Sequence, residues 1–279
     1  MVQMENIDAE EMIRQLQRGS SDVDWCEVNY NIVPGIAEFF NTISNVLFFL
    51  LPPVLIYLFR QYAKQVNSGV NIVWVLLVVV GACSAYFHAT LSLVGQLLDE
   101  LSIIWVIMWA LAMWFPRRYY PASLNGDRNK FKGIVLCVTF VGTAMACLHP
   151  AVNHLVLITF VIPCGVLFGI ELKRCGCSRV YRLGLVSVVY VIFAVTVWLS
   201  DRLNCELWTK LKFPYLHSLW HIFIFQGAYL SCVVFAYFDA TAEVPEQAPT
   251  LKYWPNDSWE FFGIPYVFLK CSGTKPMYC

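Results

Sequence analysis

Seven continuous apolar blocks dominate this chain, at about 36–59, 70–90, 97–115, 132–149, 152–171, 182–199 and 215–238. A block of roughly 20 apolar residues is what an α-helix needs to cross the hydrocarbon layer of a bilayer. Lipid cannot satisfy free backbone groups, so unbroken apolar blocks read as helices. A β-barrel would show short alternating segments instead. The expected fold is therefore an all-α integral membrane protein, a bundle of seven transmembrane helices. Composition agrees: 58% of residues are hydrophobic and 14% charged, against about 25% charged in an ordinary soluble domain. Pro52, Pro53 and Pro163 fall inside blocks and are expected to kink them.

The 19 basic and 19 acidic residues cancel, and no basic stripe points to nucleic acid. Residues 1–24 are acidic and lack the basic-then-apolar pattern of a signal peptide, so the first span is expected to act as the targeting signal. Three regions follow: an N-terminal segment over 1–35, a seven-helix domain over 36–238, and a polar tail over 239–279 to which no structure can be assigned.

Loop charge gives an orientation. The 1–2, 3–4 and 5–6 loops carry Arg60 and Lys64, then Arg117, Arg118, Arg128, Lys130 and Lys132, then Lys173, Arg174, Arg179 and Arg182. The 2–3 and 4–5 loops carry no Lys or Arg, and only the 6–7 loop dissents, with Arg202, Lys210 and Lys212. The positive-inside rule then puts the N-terminus in the lumen and the C-terminus in the cytosol.

That topology brings distant polar residues to one end. His88 closes the second helix, Asp99 and Glu100 open the third, and His217 and His221 open the seventh. His217 and His221 are spaced i, i+4, as are Ser84 and His88, so each pair shares a helix face. Imidazole suits zinc, and three protein ligands with one open position make a catalytic zinc site. The plainer alternative is that these histidines hydrogen-bond neighbouring helices. Ionisable groups inside a span are costly, however, and that favours function. His149 and His154 flank the 4–5 loop and read as interfacial.

Before the first helix, Asp24, Glu27, Asn29 and Glu38 gather oxygen donors in a short stretch. Calcium takes roughly six to eight such oxygens. The alternative is a solvated acidic turn that caps the helix. Of the 11 cysteines, only Cys26 and Cys205 fall in segments placed in the lumen. An oxidising lumen lets such a pair persist as a disulfide; otherwise they are two free thiols.

The stretches DWCEVNY, AEFFNTISN, SAYFHATL with QLLDEL, SDRLNCELW and PYLHSLWH, in this order and spacing, resemble the alkaline ceramidases over about residues 22–238. RRYYP, FAYFDA, PEQ and YWPN resemble the Golgi-type branch of that family, which implies a multi-pass protein of the Golgi membrane, with the endoplasmic reticulum as the alternative. The resemblance implies a seven-helix bundle that cleaves the amide of ceramide to sphingosine and a fatty acid. It implies zinc on His88, His217 and His221, and an active-site serine and aspartate at Ser84 and Asp99. It also implies calcium on Asp24, the Trp25 carbonyl, Glu27, Asn29 and Glu38. The calcium loop is then expected to brace the first helix and take no part in the chemistry. Two other readings compete: a metal hydrolase of a different lipid, and a seven-helix receptor or transporter. The receptor reading lacks a DRY motif after the third block and NPxxY in the seventh.

Overall fold

The computed structural model describes residues 13–148, 153–260 and 262–270. Among these, seven helices are long and apolar enough to span a membrane: Phe39–Leu58, Val70–Thr90, Leu93–Trp114, Arg128–Leu148, Leu155–Lys173, Ser178–Leu203 and Leu216–Glu243. They are the first to seventh spans below. The seven expected blocks coincide with them to within about a turn or so. The second, third and seventh spans are the most enclosed, and the fourth and fifth show most of their surface to the surroundings. The seventh packs along the sixth, the second lies between the first and third, and the third also contacts the fourth and fifth.

Helix ends depart from the apolar blocks where charge begins. The fourth helix starts at Arg128, before the apolar block, because Asp127 Oδ1 accepts the N–H groups of Asn129 (2.8 Å) and Lys130 (3.3 Å). A carboxylate there satisfies donors the helix cannot satisfy itself. The third helix likewise starts early, at Leu93. Leu91 turns the chain in the left-handed region (φ 48), and Ser92 Oγ accepts the Gly95 N–H at 3.1 Å. The helices run continuously through Pro52, Pro53 and Pro163. A 3₁₀ turn at Ser44–Val46 precedes Leu47–Leu58 and splits the first span into two helical pieces. Close approach of helices rests on small residues: a Cβ on Gly81 would meet Phe48 Cβ at 2.4 Å, and one on Gly227 would meet Val191 Cγ2 at 2.7 Å.

The two ends of the bundle differ in chemistry. At one end lie His88, Asp99 and His217; at the other lie most of the arginines. There Tyr62 Oη donates to Asp239 Oδ2 (2.6 Å), Trp114 Nε1 donates to Tyr62 Oη (3.0 Å), and Arg128 reaches Asp239 and Glu243 at 2.9 Å each. Burial, with Asp239 adding to it, holds the Tyr62 hydroxyl well above its ordinary pKa. This network fastens the third, fourth and seventh spans to one another and to Tyr62.

The described part of the tail is folded. Strands β1 (Thr250–Trp254) and β2 (Ile264–Phe268) form an antiparallel hairpin with Thr250 opposite Phe268. Leu251, Tyr253, Val267 and Leu269 are buried within the main core. Arg179 ties the hairpin to the sixth span through Asp257 (3.0 Å), Glu260 (2.9 Å) and the Leu251 carbonyl (3.1 Å).

Candidate metal centre and the acidic loop beside it

His88 closes the last turn of the second span, one turn beyond Ser84 on the same face, and both are buried. His217 and His221 occupy successive turns at the start of the seventh span and are buried as well. The three imidazoles converge: one nitrogen from each lies within 4.8 Å of the others, and the ring centroids are 4.7 to 4.9 Å apart. Among the described residues this is the one group of three or more His, Cys, Asp or Glu with that geometry.

Buried nitrogen without a partner is costly. His88 Nε2 and His217 Nδ1 are buried and have none. The opposite nitrogen of His88, Nδ1, is bonded to Glu38 Oε2. His221 Nδ1 meets Ser44 Oγ at 2.6 Å, and its Nε2 lies 3.4 Å from Ser84 Oγ. Two rings are thus oriented from behind, with their free sides turned toward a shared space. Ser84 also faces the Asp99 carboxylate across the second and third spans. Three buried imidazoles, two of them with orphaned nitrogens, fit a metal ion, and so few ligands leave a position open.

The acidic loop lies directly against this cluster, though its members do different things. Glu27 turns both oxygens to the first span, accepting the N–H groups of Phe40 (2.7 Å) and Asn41 (2.8 Å), so it caps that helix as the simpler reading required. Asp24 accepts Asn29 Nδ2 at 3.1 and 3.2 Å. Glu38 accepts the Trp25 N–H (3.0 Å) and Asn41 Nδ2 (3.2 Å). Burial pushes the Glu38 carboxyl up to about 8, with nearby Asp24 adding to the rise while Asn41 and the Trp25 amide oppose it. Burial also raises Glu27, against the backbone amides that donate to it. Asn29 Oδ1 is left without a partner. Crowded carboxyls held up in this way, beside an orphaned oxygen, fit a cation.

Cys26 and Cys205 are disulfide-bonded, with Cα atoms 5.4 Å apart, which joins the acidic loop to the helix Cys205–Lys210. His149 lies outside the described residues, as does the side chain of His154.

Three contacts escaped the sequence. Ser44 behind His221 and Asn41 beside Glu38 stand in the AEFFNTISN stretch but are neutral and carry no metal signal of their own. Asp201, buried at the end of the sixth span, accepts the Cys26 N–H at 3.2 Å and faces the amides of Leu216 and His217. In the sequence it stands just past the apolar block at 182–199, beside Arg202, and reads as one more loop charge.

Comparison with known proteins agrees with this architecture. The family model described as ceramidase matches residues 17–268. An alkaline ceramidase of Drosophila melanogaster is 50% identical over 92% of this chain and 91% of its own length. Human alkaline ceramidase 1 is 39% identical over 90% of this chain and 95% of its own. Mouse alkaline ceramidase 3 is 26% identical over 86% of this chain and 93% of its own. With seven membrane-spanning helices around a buried histidine cluster, and with relatives matched nearly end to end, the chain belongs to the alkaline ceramidases, multi-pass membrane hydrolases that act on ceramide.

Proposed function

We infer that the hydrolysis of ceramide runs on zinc held by His88, His217 and His221, with calcium in the loop of Asp24, Trp25, Glu27, Asn29 and Glu38. The observation that carries this is the convergence of three buried imidazoles, two with unpartnered nitrogens. Zinc bound there would lower the pKa of water to about 7 and polarise the amide carbonyl.

The chain's own residues supply the rest. Asp99 accepts the proton of the attacking water and returns it to the leaving amine. Ser84, between His221 and Asp99, donates its hydroxyl hydrogen to the carbonyl oxygen as negative charge grows there. Glu38 and Ser44 keep two imidazoles from rotating. Toward the arginine end, an apolar cavity of about 150 Å³ lies between the second, third, fifth and seventh spans, lined by Leu77, Val106, Ala110, Trp114, Cys164 and Phe235. A cavity of roughly that volume takes up a benzene-sized apolar group, so it suits part of one hydrocarbon chain. A substrate with two long chains reaches such a site sideways from the leaflet.

Loop charge supports a luminal histidine end, and the Golgi-type segments support a place in the Golgi membrane. Imaging of tagged protein with Golgi and endoplasmic reticulum markers checks the location, and protease protection in sealed vesicles checks the orientation.

The decisive experiment is metal analysis of purified protein together with release of sphingosine from ceramide. Wild type should carry about one zinc per chain, the ion count of a single such site. His217→Ala and His221→Ala should each lose both the zinc and hydrolysis while remaining folded in detergent. Full activity in either variant, or a metal-free active enzyme, would refute the assignment.

A further inference from the structure

The three imidazoles are not held alike. His88 is gripped from behind by Glu38, and His221 by Ser44 at 2.6 Å. The buried Nδ1 of His217 has no hydrogen-bond partner. The outer torsion of a histidine ring is broad and roughly two-fold, so a ring without such a bond needs another restraint to aim its nitrogen.

That restraint is aromatic. The His217 ring lies between two indoles, with Trp25 stacked at 3.6 Å and 20° and Trp220 at 5.0 Å and 21°. Trp220 is on the same helix, three residues on, and moves with it. Trp25 comes from the acidic loop and is anchored independently of the seventh span. Its backbone N–H donates to Glu38 Oε1 at 3.0 Å. The Arg202 guanidinium sits 5.7 Å from its indole, and Arg202 Nη1 donates to the carbonyl of Asp24 at 3.0 Å. The next residue, Cys26, is bonded to Cys205, and its N–H is held by Asp201 at 3.2 Å.

We propose that the Trp25 indole is a positioning residue for His217, fixing by stacking the ring that no hydrogen bond fixes. The proposal rests on the metal-centre reading above. It gives the acidic loop two mechanical connections to the histidines: the Glu38 carboxylate behind His88, and the Trp25 ring on the face of His217. The second is a side-chain role, separate from any ligation by the Trp25 backbone carbonyl, which every substitution at this position retains.

That separation makes the test clean. Trp25→Leu, Trp25→Phe and, as a control at the same end of the bundle, Trp208→Leu are purified as full chains. Zinc affinity is measured by chelator competition. Thermal midpoints are recorded with calcium and with all metal removed. Loss of an outer partner of a metal-bound histidine typically costs 10–100-fold in affinity. Trp25→Leu should fall in that range, Trp25→Phe should stay within about threefold of wild type, and Trp208→Leu should match wild type. The metal-free midpoints of the two Trp25 variants should agree, because the effect lies in ring orientation and not in folding. Wild-type zinc affinity in Trp25→Leu would overturn the proposal. So would an equal loss in Trp25→Phe, which would mark Trp25 as mere filling. If wild type binds no zinc, the metal-centre reading fails first and this one falls with it.

Discussion

The buried carboxylate of Glu38 is bonded to Nδ1 of His88, although the two residues are 50 positions apart, one just ahead of the first span and the other in the last turn of the second. Glu38 also takes the Trp25 amide and lies beside Asp24. One side chain therefore belongs both to the acidic loop and to the support of the histidine cluster. A carboxylate behind a metal-bound histidine fixes its tautomer and raises its basicity.

This contact changes what a substitution at Glu38 should do. If the loop merely braced the first helix, Glu38→Ala would spare the histidine metal. Because the carboxylate touches His88, Glu38→Ala should weaken zinc retention by about 10–100-fold as well as abolishing the response to calcium. Glu38→Gln can still accept from His88 and should keep more of the zinc affinity than the alanine variant. Zinc competition and calcium thermal-shift titrations on both variants decide it; unaltered zinc affinity in Glu38→Ala would show that the pair has no part in holding metal.

The same group sets a pH dependence. Its carboxyl rises from an ordinary 4.5 to about 8 on folding, so between those values the folded state holds a proton that the unfolded chain has released. The stability this contributes is fully present below pH 4.5 and is lost as pH rises through 8. Metal-free protein should thus have a thermal midpoint that falls steadily as pH is raised across this window. Millimolar calcium should flatten the slope, because a cation replaces the proton. A metal-free midpoint that does not vary with pH, or that ignores calcium, would leave Glu38 and its neighbours as a helix cap only.

The bond between Cys26 and Cys205 closes a loop across 179 residues and joins the acidic segment to the start of the 6–7 connection. Removing a native disulfide typically costs about 2–5 kcal/mol, so Cys205→Ser should lower the thermal midpoint and raise the calcium concentration needed for stabilisation. In wild type, mass spectrometry should find both cysteines protected from alkylation until a reductant is added. Labelling of both without reductant would exclude the bond.

The sequence by itself determined the spans, because a bilayer imposes a length and polarity that a one-dimensional pattern records. It also placed His217 and His221 on one face through helical periodicity, and it brought His88 to the same end because successive spans alternate direction. The span ends were less legible. Hydropathy stops at the first charge, whereas the fourth helix continues back to Arg128 on hydrogen bonds supplied by Asp127. The C-terminal hairpin was hidden because Leu251, Tyr253, Val267 and Leu269 are buried in one core with residues of distant helices, which a local pattern does not record.

Only the tertiary structure decided how the histidines are held. Glu38 against His88, Ser44 against His221 and Trp25 against His217 are each contacts between segments remote in the chain. The periodicity of a single helix says which residues share a face. It does not say which rotamer a facing side chain adopts or which atom it meets. Those follow from how closely two helices approach, and that distance is set by packing across the whole bundle, by small residues such as Gly81 and by capped turns such as Leu91–Ser92.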